Sequence, residues 1–281
     1  MPFSINQFLD AFVAYNAAIW PAQTLHDCWD AVDRYRCDRD PENGAAQRLR
    51  LEEDVKTSAK DIKITLAYCL LIWAAKPTLV ERFGKARFNQ IRSAADAKLL
   101  AILPEIPPLR SSNFDLNCSF IVAYVPLHHA FRQFDETRGS ADALLWMGNE
   151  KLLRKVPGVL WRAVGRANLR SRKVKAIRAL QQRGEAGPLD PLDYRVQVQE
   201  TTEGGYVCTF AECAALKVLR SIGEAQVFPA ACRLDYLMAH LSGIRFERHN
   251  TLADGDDGCD NHILGLGETI WAPESGFTNR K

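Results

Sequence analysis

The sequence predicts an α+β protein: a helical N-terminal region packed on a small antiparallel sheet with β-β-α-α-β-β order. Three observations carry this. Apolar and aromatic residues recur at helical spacing through the first two thirds of the chain. From Asp193 the pattern changes to a period of two, as in Tyr194-Arg-Val-Gln-Val-Gln-Glu200, which is the mark of a half-buried strand. Glycine pairs and a Gly/Asp-rich segment then punctuate the C-terminal third where hairpins need to turn.

Taken in order, Phe3 to Trp20 carries Phe8, Phe12, Tyr15 and Ile19 on one helical face and stops at Pro21; Thr24 to Cys37 follows as a second helix. Thr57 to Ala75 reads as a third, with Thr57 or Ser58 as cap and Pro77 marking its end. Ala86 to Leu103 is a fourth. Residues 104–113 contain Pro104, Pro107 and Pro108 and read as a loop. Asn117 to Phe134, with Pro126 as a kink, and Ser140 to Leu153, capped by Ser140, complete the regular helices. Residues 184–193 form a linker-like turn. The paired strands Asp193–Glu200 and Tyr206–Phe210 flank Glu203-Gly204-Gly205. Helices over Cys213–Gly223 and Phe228–Ser242 come next, then strands Ile244–Arg248 and Asp260–Leu264. The boundaries are residues 1–185 for the helical region and 190–281 for the α+β region, and the aromatic helices need so much surface to cover that one integrated unit is expected.

At 281 residues, 47% hydrophobic and 25% charged, the composition is that of a globular chain with a sizeable core. A net charge of +2 argues against nucleic acid or acidic membranes as partners. The apolar run Ile64 to Ala75 is too short to span a bilayer, and the first residues lack the basic and apolar regions of a signal peptide. A cytoplasmic protein with a small-molecule substrate is therefore expected; association into a homo-oligomer stays open. The basic segment between residues 151 and 183 is read as a solvated helix face in preference to an anion grip, since it lacks interleaved aromatics.

The eight cysteines form no CxxC pair and no Cys/His spacing typical of zinc. They are read as reduced thiols, most of them small buried hydrophobes. His128 and His129 diverge on their helix and do not chelate one ion. The loop Asp254 to Asp260 lacks the register of a calcium loop. No metal and no cofactor is assigned.

Chemistry concentrates in the last seventy residues. Cys213 lies where a strand hands over to a helix, and free amides at a helix N-terminus favour a thiolate. It is a candidate nucleophile or a packing residue. Cys232, Asp235 and Tyr236 share one helix face. Asp235 is read either as a general acid or base with a pKa raised by burial, or as the partner of Arg248 in a buried pair. Asp260 and His262 share a strand face and suit the orienting half of a triad, whereas Cys259 faces the other way.

These residues resemble the L-2-amino-thiazoline-4-carboxylic acid hydrolase family. The resemblance rests on a cysteine opening a helix (Cys213), a Cys-x-x-Asp (Cys232, Asp235), an Arg-x-x-Thr-Leu-Ala-x-Gly (Arg248, Thr251-Leu252-Ala253, Gly255) and a Cys-Asp pair (Cys259-Asp260). Two departures stand out: Ala214 replaces a frequent proline, and Asn261-His262 replaces an aromatic after Cys-Asp. The resemblance implies opening of a cyclic amidine-type ring by addition of water at its C=N carbon. In that scheme Cys213, or secondarily Cys259, adds to the carbon, and Asp235 or His262 moves protons. Arg248 holds a substrate carboxylate, with Cys232, Thr251, Asp260 and Asn261 lining the substrate. A biosynthetic cyclase, lyase or isomerase using the same pocket without net hydrolysis is the alternative, and a binding protein without chemistry is a third reading.

Overall fold

The computed structural model describes residues 59–107, 115–134, 138–169, 171–202 and 204–269. The expected helices at Phe3–Trp20 and Thr24–Cys37, the caps Thr57 and Ser58, and most of the loop after Pro107 lie outside these residues. The fold is α+β: mostly helical, with one antiparallel sheet of four strands.

The long first helix, α1 (Ala59–Ile102), differs from expectation. Pro77 does not end it but lies inside it; the break comes instead at Gly84, at φ 78 and ψ 160. A proline removes one amide from the ladder, a loss that surrounding packing can absorb. Backbone at positive φ with extended ψ is open almost exclusively to glycine. Leu70, Leu71, Ala74, Ala75 and Leu79 are buried on both sides of Pro77, which shows what holds the helix through it. By length and composition residues 63–105 would suffice to cross a membrane, but 61% of the apolar window is buried inside the fold. That is the pattern of a core helix.

A short 3-10 turn (Leu103–Glu105) follows, then α2 (Asp115–Gln133), α3 (Arg138–Leu153), α4 (Gly158–Asn168) and α5 (Ser171–Ala186). Tyr124 Oη donates to Asn149 Oδ1 at 2.8 Å, and Asn149 Nδ2 donates to the Leu145 carbonyl at 2.8 Å. His128 Nε2 lies 3.3 Å from Asp142 Oδ1, also between α2 and α3. Tyr124 and Asn149 thus find hydrogen-bond partners and cost little on burial. In the basic segment, Arg178 of α5 pairs with Glu200 at the exposed surface, as a solvated face requires.

Strands β1 (Arg195–Glu200) and β2 (Tyr206–Glu212) form the first hairpin, with Gly204 at φ 80 in its turn. Next come α6 (Ala214–Ser221), a 3-10 turn (Ala225–Val227), and the second expected helix in two pieces, α7 (Phe228–Cys232) and α8 (Leu234–Ser242). Gly243, at φ 66, closes α8 and turns the chain into β3 (Ile244–Arg248); β4 (Cys259–Leu266) completes the sheet. The strand order is β1-β2-β4-β3.

Register decides which residues meet. Val198 pairs with Cys208, Cys208 with Asn261, and Asn261 with Arg248, so these four form one row across the sheet. The adjoining rows are Val196–Phe210–Cys259 and Tyr206–Ile263–Phe246. All point to the helix-covered face. Alternation sends Thr209, Val207, Asp260, His262 and Glu247 to the opposite face.

Helix α8 is brought down onto α4 by a glycine. A Cβ on Gly165 would lie 2.2 Å from the Ser242 carbonyl oxygen. Gly165→Ala therefore forces the helices apart and is expected to cost about 1–3 kcal/mol in urea unfolding. Gly158→Ala, whose Cβ would meet only the flexible tip of Arg162 at 3.4 Å, serves as the control and is expected to change little.

Candidate active site

The buried guanidinium of Arg248 organises the residues that the sequence singles out. Its side chain is 2% exposed. Nε donates to Asn261 Oδ1 at 2.7 Å, the direct consequence of their cross-strand pairing. Nη1 donates to Cys232 Sγ at 3.2 Å and approaches the Cys232 carbonyl at 3.4 Å; Nη2 donates to Asp235 Oδ2. The rings of Phe246 and Tyr236 flank it, with centroids 5.1 and 5.6 Å from Cζ. Burial opposes the charge, but Cys232, Asp235 and Cys259 outweigh it and hold Arg248 cationic. With four donor contacts already made, Arg248 has no pair of N–H groups left for a bidentate grip on a carboxylate. The substrate-clamp role expected for it does not match this geometry.

Asp235 also differs from expectation. It is no buried acid: its side chain is 40% exposed, with Arg248 behind it. Helix α8 begins at Leu234, so Asp235 stands in the first turn at the edge of the fold. One carboxylate oxygen is committed to Arg248 and the rest of the group faces outward.

The thiols differ sharply. Cys213 is the N-cap residue of α6, in extended backbone and without a side-chain capping hydrogen bond. Burial pushes its thiol well above the ordinary range, and the amides of Leu216 and Ala215, which favour thiolate, do not overcome that. The pull of the helix terminus toward thiolate is present but smaller than the cost of burying the charge. Cys232 is pushed up to about 11, by burial first, while Arg248 pulls it back down. Among the described cysteines it has the guanidinium as direct neighbour. Cys259 is buried on the inner face and accepts from the Leu252 amide at 3.2 Å.

Thr251 joins the sulfurs. Its hydroxyl lies 3.6 Å from Cys232 Sγ and 3.6 Å from Cys259 Sγ, and it accepts from the Ala253 amide at 3.2 Å. The loop is set by Asp256, which takes the Thr251 amide at 2.8 Å, and by Asp254, held by Arg233 Nη2 at 2.8 and 3.1 Å. Cys232, Arg233, Tyr236, Arg248, Thr251, Ala253 and Asp254 enclose a hollow with room for about one water molecule. Cys213, Asp235, Cys259 and His262 are not among its described walls.

The sheet separates the remaining candidates. His262 and Asp260 lie on the opposite face from Cys232, Asp235 and Arg248, so His262 is not placed to move protons for those thiols, nor Asp260 to line their substrate. Asn261 is on the inner face, where it serves Arg248. Two residues that sequence reasoning passed over belong to the inner group. Tyr194 is hydrogen-bonded to Cys118 and lies within electrostatic reach of Cys213 and Asp235; burial first, then these groups, hold its hydroxyl far above the usual range. Arg233 was visible as a buried-helix cation between Cys232 and Asp235, a signal that points to a partner.

Residues 136–263 match the family model described as L-2-amino-thiazoline-4-carboxylic acid hydrolase. This part of the chain is similar to that family. The match runs from just before α3 into β4 and so includes the hollow, its loop and the residues that contact Arg248. No curated protein and no solved structure matches the chain.

Asn261→Ala and Asp235→Ala each strip a partner from a buried guanidinium. Each is expected to lower stability by about 1–3 kcal/mol. The double variant should lose less than the sum, because both act through Arg248. Urea unfolding measures this; strict additivity would show that the network is not shared.

Proposed function

We propose that this chain hydrolyses a small cyclic amidine of the 2-aminothiazoline type, with Cys232 as nucleophile. The family model that residues 136–263 match carries that substrate in its description. The observation that carries the reading is the placement of Cys232 Sγ 3.2 Å from Arg248 Nη1 on the wall of the hollow.

The sulfur of Cys232 adds to the amidine carbon of the ring, and its proton passes to Asp235, the carboxylate at the edge of the same cluster. The carbon becomes tetrahedral. Collapse breaks a ring bond to that carbon, and the proton held by Asp235 goes to the departing ring atom. Water then adds to the thio-bound carbon, the carbon–sulfur bond breaks, and Cys232 recovers its proton. Arg248 stabilises negative charge on sulfur at both stages, a fixed cation being most effective where water is scarce. The hollow is too small for the ring itself, so the substrate is taken at the outward side, where Asp235 is exposed.

Cys232→Ala is expected to lower turnover of 2-aminothiazoline-4-carboxylate by at least about a hundredfold, with unchanged circular dichroism, while Cys213→Ala stays within a fewfold of the parent. The opposite order would contradict the assignment. Oxygen-18 from labelled water should enter the product; a product free of label would indicate rearrangement.

The pH dependence follows from the thiol. A cysteine is inert while protonated and reacts as thiolate, so with Cys232 raised to about 11 the reactive form grows as pH rises. Iodoacetamide labelling of Cys232 should quicken by about tenfold per pH unit from neutrality toward that value. Arg248→Met, which removes the opposing cation, should move the curve to higher pH. A rate that is flat from pH 7 upward would refute the raised thiol.

A further inference from the structure

We propose that His249, Asp260 and His262 form a binding site for one divalent transition-metal ion of the zinc class, on the face of the sheet opposite the thiols. Their ligand atoms lie within 4.8 Å of one another. His249 Nδ1 is 2.9 Å and His262 Nε2 is 3.1 Å from the same oxygen, Asp260 Oδ2. The two rings stand nearly perpendicular, at 89° with centroids 5.0 Å apart, so both nitrogens address that oxygen from different directions.

Strand pairing builds the arrangement. Asp260 and His262 are two apart on β4 and share its outer face. His249 continues from β3 alongside Asp260, whose amide donates to the Asn250 carbonyl at 3.3 Å. The other carboxylate oxygen, Oδ1, accepts the amides of His249 at 3.0 Å and Asn250 at 2.5 Å. That fixes Oδ2 toward the imidazoles, as outer-shell hydrogen bonds do for metal-binding carboxylates. Sequence spacing gave no warning, because His249 follows the end of β3 while His262 lies on β4, and only the β3–β4 register joins them.

Donor chemistry selects the ion. Two imidazole nitrogens with one carboxylate oxygen suit zinc, cobalt or nickel; magnesium and calcium prefer all-oxygen shells. Donors around a tetrahedral zinc at about 2.0–2.1 Å from the ion lie roughly 3.3–3.4 Å apart. The observed 2.9 and 3.1 Å separations therefore need to widen by only a few tenths of an ångström. The side chain of His249 is 65% exposed and free to give that movement; its exposure also leaves the remaining coordination positions to solvent or a small ligand. No residue of the proposed thiol chemistry takes part, so the two proposals stand or fall separately.

Titration of the full chain with cobalt(II), followed by absorption and equilibrium dialysis, tests the site. The expected result is one ion per chain at micromolar affinity, with weak visible bands of nitrogen–oxygen ligation and no intense thiolate band in the near ultraviolet. His262→Ala and His249→Ala should each weaken binding by at least about tenfold, and Cys232→Ser should leave it unchanged. Zinc should raise the melting temperature of the parent and not that of His249→Ala, whose exposed ring is not needed for folding. Absence of binding, binding indifferent to both histidine variants, or binding marked by the thiolate band would overturn the proposal.

Discussion

The buried guanidinium of Arg248 is the constraint around which the C-terminal region is arranged. An isolated cation in that position would cost several kcal/mol. It is tolerable because Cys232 from α7, Asp235 from α8 and Asn261 from β4 all turn acceptors toward it. Those contacts in turn fix the two helix pieces against the β3–β4 hairpin. The amide oxygen of Asn261 supplies Arg248 with an acceptor that an aromatic ring in its place would lack.

The sheet divides chemistry into two compartments. On the helix-covered side, sulfur, guanidinium and Thr251 surround a hollow in which charge is expensive. On the other side, the imidazoles of His249 and His262 and the Asp260 carboxylate meet at the surface, where charge is cheap. Asp260 illustrates how finely the division is set. Burial pushes its carboxyl upward, but the amides of Asn250 and His249 and the two imidazoles outweigh that and hold it below the ordinary range. Its immediate neighbour Cys259 faces the opposite compartment, buried and held by the Leu252 amide.

Much of the fold was legible because local pattern and tertiary outcome agree. Alternation from Tyr194 to Glu200 and the Gly204-Gly205 turn specify the first hairpin, and the family residues mark the second. What escaped depends on quantities that one-dimensional spacing does not contain. Pro77 is a helix breaker by propensity, yet packing on both sides carries the helix onward to Gly84. Cys213 does sit at a helix start, but the cost of burying its charge exceeds what the amides of α6 return. Asp235 lies among apolar neighbours in sequence and still faces outward, because it opens the first turn of α8. The pairing of Asn261 with Arg248, and of His249 with Asp260, is a matter of strand register, invisible until the sheet is assembled. The link between Lys98 of α1 and buried Glu224, which ties the helical region to the α+β region, is equally long-range.

Cys232 is the sulfur proposed to meet the substrate. Single-turnover reaction of the chain with 2-aminothiazoline-4-carboxylate, quenched in acid and mapped by peptide mass spectrometry, addresses this directly. It should reveal a transient adduct on the peptide carrying Cys232 that forms and decays at the rate of turnover. Turnover proceeding with every cysteine unmodified at all times, or with the adduct on Cys213 or Cys259, would contradict it.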